Sequence, residues 1–424
     1  MLRLGAGDVS DPSDSLCSPL GLTTHHSPRT TYNNSMRVKA ITAWQVRIPL
    51  CKPIQHASHT RTETDNVVVR VILDDGSEGF GEGVPREYVT GETIESALAL
   101  LKQSDLAAQL DDCRDFNWAI GMVERLRLAP IPGDERGCMG NGARCALELA
   151  LLDAYGKHFR EPVSAVTPRL APDLFEPREH VRYSTAITSS DGFWLRIAAW
   201  KMWIYNFHQL KVKVGIEGQN DVDRLGSIRW RVGQGMDIRI DANEAWTPDN
   251  AVAKILELKP FDITSVEQPI PHEKVGALRE IRKAVGVPIM HDESLCGMID
   301  AERAVADQTC DLFNIRLSKC GGFIASLRLA QIAKKHNLGY QLGCQVGETA
   351  ILSAAGRHFA SSVKDIRYVE GSYDSHLVRE YLSTENITFG WGGWAPALAG
   401  PGLGITIDPD ALKRVAIRSE VLLG

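Results

Sequence analysis

LKVKVG at residues 210–215, DIRIDAN at 237–243, ITSVEQP at 263–269 and PIMHDE at 288–293 decide the fold of this chain. Each is a short apolar run that ends in charged residues, and helical segments separate one from the next. Outward from this block, the pattern begins at YSTAI (183–187) and continues through LFNIRLS (312–318), GYQLGCQ (339–345) and IRYVEG (366–371). Eight candidate strands at near-even spacing, alternating with helices, are the signature of (β/α) units, and eight such units close into a barrel.

Upstream the pattern differs. VKAITAWQVRIPL (38–50), NVVVRVILDDG (66–76) and SEGFGEGVP (77–85) read as a β-meander, followed by helical stretches around 92–104 and 142–158. The segment ARCALELALLDAYGKHF (143–159) has apolar residues at helical spacing and is expected to pack under the sheet. Residues 1–35 are rich in Ser, Thr, Pro, Asn and Gly without a continuous apolar run, which predicts a disordered extension and no secretory signal. After about residue 386 the chain is Gly- and Pro-rich before ITIDPDALKRV (405–415).

The 424 residues are enough for a barrel plus a smaller partner domain. A net charge of −6 with no basic stripe argues against nucleic acid, and no run is apolar enough to cross a bilayer. Nine scattered cysteines without a CxxC pair point to reduced thiols and a cytoplasmic protein.

The chemistry is expected at the C-terminal ends of the candidate strands, which ring one mouth of a barrel. Strand two ends in Lys211-Val212-Lys213, strand three carries Asp241 and Asn243, strand four Glu267, strand five Asp292 and Glu293, and strand six Arg316. A single acid at a strand end is usually a helix cap or a solvated charge. Three in register on adjacent strands would repel one another strongly without a cation, and an all-oxygen set suits Mg²⁺. Lys211 and Lys213, two apart, share one face of their strand, and Leu210, Val212 and Val214 face the helices. Two inward ammonium groups are expected to depress each other's pKa, which prepares one of them to act as a base.

In this order and spacing, LKVKVG, IDANEAW, VEQPI, HDES, NIRLSKCGG and GPGLGITID resemble the enolase superfamily, in its muconate-lactonising and dipeptide-epimerase subgroup (the mandelate racemase/muconate lactonising family). The resemblance covers nearly everything from Met36 onward. It implies an α/β architecture: a (β/α)₇β TIM-like barrel over 166–385, and an α+β capping domain over 36–165 completed by the tail, 386–424. It implies that Asp241, Glu267 and Asp292 ligate Mg²⁺, with Mn²⁺ as a substitute. Lys213 would remove a proton α to a substrate carboxylate through an enediolate, assisted by Lys211; a Lys or His base with Mg²⁺ is this superfamily's known chemistry. Asn243, Glu293 and Lys319 would lie behind the ligands and orient them.

Two mobile capping loops, near 54–64 and 83–89, would select the substrate. His56, His59 and Arg61 lie in the first, and Tyr183, Gln345, Glu348 and Glu370 are further candidates for substrate contact. The family also implies a small-molecule carboxylate substrate and a symmetric homo-oligomer.

One position departs from the pattern. Where the family usually has a Lys on strand six, this chain has Arg316. Arg316 shares a face with Asn314 and Ser318, while Lys319 falls on the other parity, where only a kink would bring it inward. Arginine stays protonated and is a poor base. The sequence therefore predicts a one-base cycloisomerase or lyase, muconate-cycloisomerase-like or succinylbenzoate-synthase-like. The alternatives are a racemase or epimerase of N-substituted amino acids or dipeptides, and a non-catalytic metal-binding barrel.

Overall fold

A long antiparallel pair opens the described part of the chain: β1 (Val38–Gln55) and β2 (Thr60–Leu73) pair along almost their whole length, and β3 (Glu78–Gly83) adds to the edge of β2. The computed structural model describes residues 35–55 and 60–424. The extension expected over 1–35 therefore lies, Ser35 apart, outside the described residues, as do His56 and His59. Of the segment expected as the first capping loop, residues 60–64 belong to β2, which pairs with β1 as far as Gln55↔Thr60.

The helices after this sheet are α1 (Glu87–Thr90), α2 (Ile94–Gln103), α3 (Phe116–Arg125), α4 (Asn141–Phe159) and α5 (Val166–Leu170). α4 is buried along most of its length against β3 and β2. The sequence of β3, EGFGEG, explains the closeness of that packing. Gly79, Gly81 and Gly83 share one face, and a Cβ built on them would fall 2.2 Å from Ala150 O, 2.0 Å from Ala146 O and 1.9 Å from Gly142 O. Only glycine lets the helix backbone come this near. Gly81→Ala is thus expected to cost about 3 kcal/mol, the upper end of overpacking penalties. Gly235→Ala, which meets open space, should be near neutral; urea denaturation midpoints would compare the two.

A short ladder of β4 (His180–Arg182) with β13 (Trp394–Pro396) leads into the second sheet. Its eight parallel strands stand in sequence order: β5 (Thr185–Ile187), β6 (Gln209–Lys213), β7 (Asp237–Asp241), β8 (Ile263–Glu267), β9 (Ile289–His291), β10 (Leu312–Ile315), β11 (Gly339–Leu342) and β12 (Ile366–Val369). All eight match strands expected from the sequence. The Ser184 amide donates to Val369 O at 2.8 Å, joining the approach to β5 to the end of β12.

Seven helices fill the connections: α6 (Gly192–Ile204), α7 (Asp221–Val232), α8 (Pro248–Leu258), α9 (Leu278–Val285), α10 (Met298–Asp307), α11 (Phe323–Lys335) and α12 (Ala350–Ser362). This is a (β/α)₇β barrel. Leu210, Val212 and Val214 pack outward in the core shared with the helices, as the strand parity requires. After the barrel, β14 (Ala416–Leu423) pairs antiparallel with β1.

Buried acids fasten the meander and α4 to the barrel. Glu82, fully buried, accepts from Thr349 N, Thr349 Oγ1 and Leu352 N at the start of α12 and from Asn66 Nδ2. A carboxylate at a helix N-terminus is favourable, although burial still pushes this one up to about 7. Glu148 of α4 accepts likewise from Ile324 N at the start of α11. No helix among the described residues is long and apolar enough to cross a membrane.

Candidate active site

Strand parity carries the site. Arg239 and Asp241 on β7 lie two apart, as do Lys211 and Lys213 on β6, and register pairs Lys213 with Asp241 and Asp241 with Glu267. The loops that follow are tight. Asn243, Glu244 and Gln268 all adopt positive φ (43°, 67° and 35°), costly for residues with a Cβ and concentrated at functional strand ends. The fold holds Asn243 there by its amide, which donates to Asp241 Oδ1 at 3.1 Å. Gln268 Oε1 accepts from the amides of Asp292 (3.0 Å) and Ser294 (3.1 Å), which fixes the end of β9 against that of β8.

Asp241, Glu267 and Asp292 are all buried. Three such carboxylates were expected to need a foreign cation to hold them together; the chain supplies cations of its own. Lys211 Nζ lies 3.5 Å from Asp241, 3.6 Å from Glu267 and 2.7 Å from Glu370. Arg316 Nη2 pairs with Asp292 Oδ2 and lies 3.4 Å from Glu267. Lys319 Nζ donates to Asp292 Oδ1 at 2.7 Å.

The electrostatics follow from this arrangement. Burial and the neighbouring Asp241 push Glu267 up to about 8. Burial acts the same way on Asp292, but Arg316 and Lys319 outweigh it and hold the carboxyl at about 2. Glu293, buried beside Asp292, is driven well above the ordinary range.

The expectation that the lysine pair would lower each other's pKa fails for Lys211. Burial favours its neutral form, yet Glu267, Glu370 and Asp241 outweigh burial and keep it protonated. Lys213 is different: it is only half-buried, and among the described residues its ammonium makes no hydrogen bond or ion pair.

Lys319 also departs from its expected side. β10 ends at Ile315, and the chain turns through Gly321 and Gly322 at φ 87° and 117°. Strand parity therefore stops applying, and Lys319 folds back, fully buried, onto Asp292 Oδ1, Asp292 O and Asn314 O. Its ammonium is fully engaged away from the open mouth. Arg316, one residue past β10, still points as parity predicted, toward Glu267 beside Asn314, whose Nδ2 donates to Glu267 at 2.8 Å; Ser318 lies in the turn beyond, where its hydroxyl accepts from Val84 N.

The donor set fits a hard divalent cation. Asp241 Oδ2 and Glu267 Oε2, both buried, accept no hydrogen bond, and neither does Glu293 Oε2. Carboxylate oxygens without donors in a buried site call for a cation. Asp292 fits only if the guanidinium of Arg316 yields its place. The tightest grouping of His and carboxylate atoms among the described residues lies elsewhere, at Glu244, His272 and Glu273. There Glu244 Oε1 already accepts from His272 N and binds its Nδ1, both at 2.7 Å, which makes that group a loop clamp.

The remaining candidates divide. Glu370 joins the cluster but is taken by Lys211 and by Arg239 at 2.5 Å. Gln345 and Glu348 lie at the mouth: Gln345 Nε2 donates to Val84 O, and Glu348 Oε1 accepts from Gln345 N. Val84 N donates to Ser318 Oγ at 2.7 Å, so the segment expected as the second capping loop is tied to the turn after the sixth strand. Arg61 lies over the Tyr88 ring at 5.5 Å, joining β2 to α1. Tyr183 is not brought to the cluster; buried, its hydroxyl accepts from Arg357 Nε at 2.7 Å.

With this geometry, known proteins can be compared. Residues 39–166 match the family described as mandelate racemase/muconate lactonizing enzyme, N-terminal domain, and residues 195–411 match enolase C-terminal domain-like. The chain belongs to the enolase superfamily. It is 28% identical to the N-succinyl-L-Arg/Lys racemase of Bacillus cereus over 91% of this chain and 100% of that protein. It is likewise 28% identical to the hydrophobic dipeptide epimerase of Enterococcus faecalis, over 78% of this chain and 89% of that one. The crystal structure of the B. cereus racemase superposes with a TM-score of 0.79 at 26% identity, covering 91% of this chain and 99% of that one. A dipeptide epimerase of Cytophaga hutchinsonii, complexed with Mg and D-Ala-L-Val, superposes with 0.76 at 25% identity, over 91% and 100%.

Two members of this enolase-superfamily cluster escaped the sequence reading. Arg239, fully buried, bridges Ser184 and Glu370, and Asn314 supports Glu267. The signal was present: Arg239 shares parity with Asp241 within DIRID, and Asn314 with Arg316.

Proposed function

We propose that the protein is a Mg²⁺-dependent racemase or epimerase acting on a carboxylate whose α-carbon carries an acylated nitrogen, such as an N-acyl amino acid or a dipeptide. The observation that carries the reading is the division between the two lysines of β6. Lys211 is saturated by three carboxylates, whereas Lys213 stands unpaired at the strand end beside Asp241. The first suits a fixed positive charge and the second a base.

The relatives' names shift the choice of reaction: they are racemases and epimerases, so the cycloisomerase or lyase expectation yields to the alternative. N-succinyl amino acids and dipeptides share an acylated nitrogen next to the reacting carbon. Glu370 favours the fully blocked member of this pair, since Lys211 and Arg239 already neutralise it and leave it unavailable to a substrate ammonium group.

In the proposed mechanism Lys213 takes the α-proton on its Nζ. Lys211 holds positive charge beside the substrate carboxylate, and Arg316, protonated at all accessible pH, faces the same space from β10. Mg²⁺ on Asp241, Glu267 and Asp292 would offset the negative charge that develops on that carboxylate. Asn243 and Lys319 keep two of the ligands in place. For stereochemical inversion, a water on the Arg316 side returns a proton to the α-carbon, and the hydroxide it leaves is neutralised by the proton that Lys213 took.

Arg316 also supports a second reading, a one-base reaction on the Lys213 face alone, because guanidinium is a poor proton acceptor. Incubation in D₂O with both stereoisomers of N-succinyl amino acids and of dipeptides, followed by proton NMR and chiral analysis, separates the two. Loss of the Cα–H signal with interconversion of stereoisomers is the expected result. Exchange of one stereoisomer with retention would select the one-base reading, and no exchange on any member of the panel would end both.

A further inference from the structure

The outer face of α6 is the largest anomaly on this surface. Leu195 and Ala199 turn inward, yet the solvent side is apolar as well. Phe193, Trp194, Trp200, Trp203, Tyr205 and Trp391 are between 48 and 71% exposed, and the Tyr205 and Trp391 rings meet at 5.1 Å, extending the patch beyond the helix. A helix that is apolar all round is normally buried. At about 200 Å² for each accessible aromatic side chain, these six expose roughly 700 Å². That exceeds the usual largest patch of a monomer, about 300–600 Å², and approaches the roughly 800 Å² per partner of a stable interface.

The pattern of residues indicates what covers it. At about 100° per residue, Phe193, Ile197, Trp200 and Ile204 fall on one narrow stripe. The stripe is symmetric about the point between Ala198 and Ala199: an antiparallel copy places Phe193 against Ile204 and Ile197 against Trp200. Trp194 and Lys201 lie on one flank of the stripe, and Arg196 and Trp203 on the other. In a two-fold antiparallel pairing each flank meets its own copy, so Lys201 reaches the second copy's Trp194 and Arg196 the second copy's Trp203. Both are cation–π contacts. Self-complementarity of this kind is what an isologous two-fold interface requires.

We infer that α6 is a homodimer interface at which two copies of this chain pack the helix antiparallel about a two-fold axis between Ala198 and Ala199. The test uses the full chain. Light scattering coupled to size exclusion should give twice the chain mass for the native protein, and Trp200→Glu, with unchanged far-UV circular dichroism, should halve it. Dilution of the native protein should shift tryptophan emission to the red as the buried rings return to water, which decides the matter even if Trp200→Glu misfolds. A native protein that is monomeric throughout, a dimer that survives Trp200→Glu, or emission unchanged on dissociation would each overturn the proposal.

Discussion

Replacement of Lys213 by alanine is expected to lower α-proton exchange on any accepted substrate by about 10²–10⁴-fold, the usual cost of losing a general base. The measurement is disappearance of the substrate Cα–H signal in D₂O. Stability should hardly change, because the Lys213 ammonium is bound to nothing among the described residues and is half-exposed. Lys211→Ala makes the informative contrast. It strips Asp241 of its ion-pair partner among the described residues, while Glu267 keeps Arg316 and Glu370 keeps Arg239; leaving a buried carboxylate unpaired in this way typically costs about 3–5 kcal/mol. The melting temperature should therefore fall in the Lys211 variant and hold in the Lys213 variant. If Lys213→Ala retained most of the exchange rate, the assignment of the base would be lost, whatever became of Lys211.

The barrel was legible because two periods alternate along the chain. Short apolar strands that alternate with helices eight times over fit few folds besides a closed parallel barrel, and the same period-two rule placed Lys211, Asp241 and Glu267 on the inner face; Arg316, one residue past its strand, still follows it. The rule fails where the strand stops. Lys319 lies beyond Ile315, past the last residue whose direction parity can give, and the glycines at 321 and 322 reverse the chain behind it. The electrostatic reading of the lysines failed for a related reason. Neighbours in sequence suggested mutual repulsion, whereas the charges that matter to Lys211 come from β7, β8 and β12. The helix under the sheet was visible from its apolar spacing, but not that the glycines of β3 are what admit it, since α4 is some sixty residues away in sequence. The apolar outer face of α6 was invisible too: periodicity cannot distinguish a helix buried by its own chain from one left exposed.

Arg316 is where the strongest further effect is expected. Its guanidinium sits on Asp292 and beside Glu267, two of the three carboxylates proposed to hold Mg²⁺. A divalent ion would have to displace that group from Asp292 Oδ2 and then remain close to it, and a doubly charged ion about 4 Å from a unit charge is repelled by up to about 8 kcal/mol in a partly screened protein site. Arg316→Met should thus bind Mg²⁺ more tightly, by about 10- to 100-fold (about 1.4–2.8 kcal/mol), in titration calorimetry without substrate. Glu267→Gln should weaken binding in the same assay, since it removes a ligand and not a competitor. Unchanged affinity in Arg316→Met would mean that the guanidinium leaves the carboxylates at no cost, and its position over Asp292 would carry no weight. Arg316→Lys then addresses stereochemistry. A lysine at this position can give up its proton, so a reaction confined to the Lys213 face should gain exchange at the opposite face, read as deuterium entering the other stereoisomer. If the native protein already interconverts both stereoisomers quickly and Arg316→Lys leaves that rate unchanged, proton return does not depend on the group at 316. Lys319, held on Asp292 and Asn314, could supply it only by leaving all three of its acceptors.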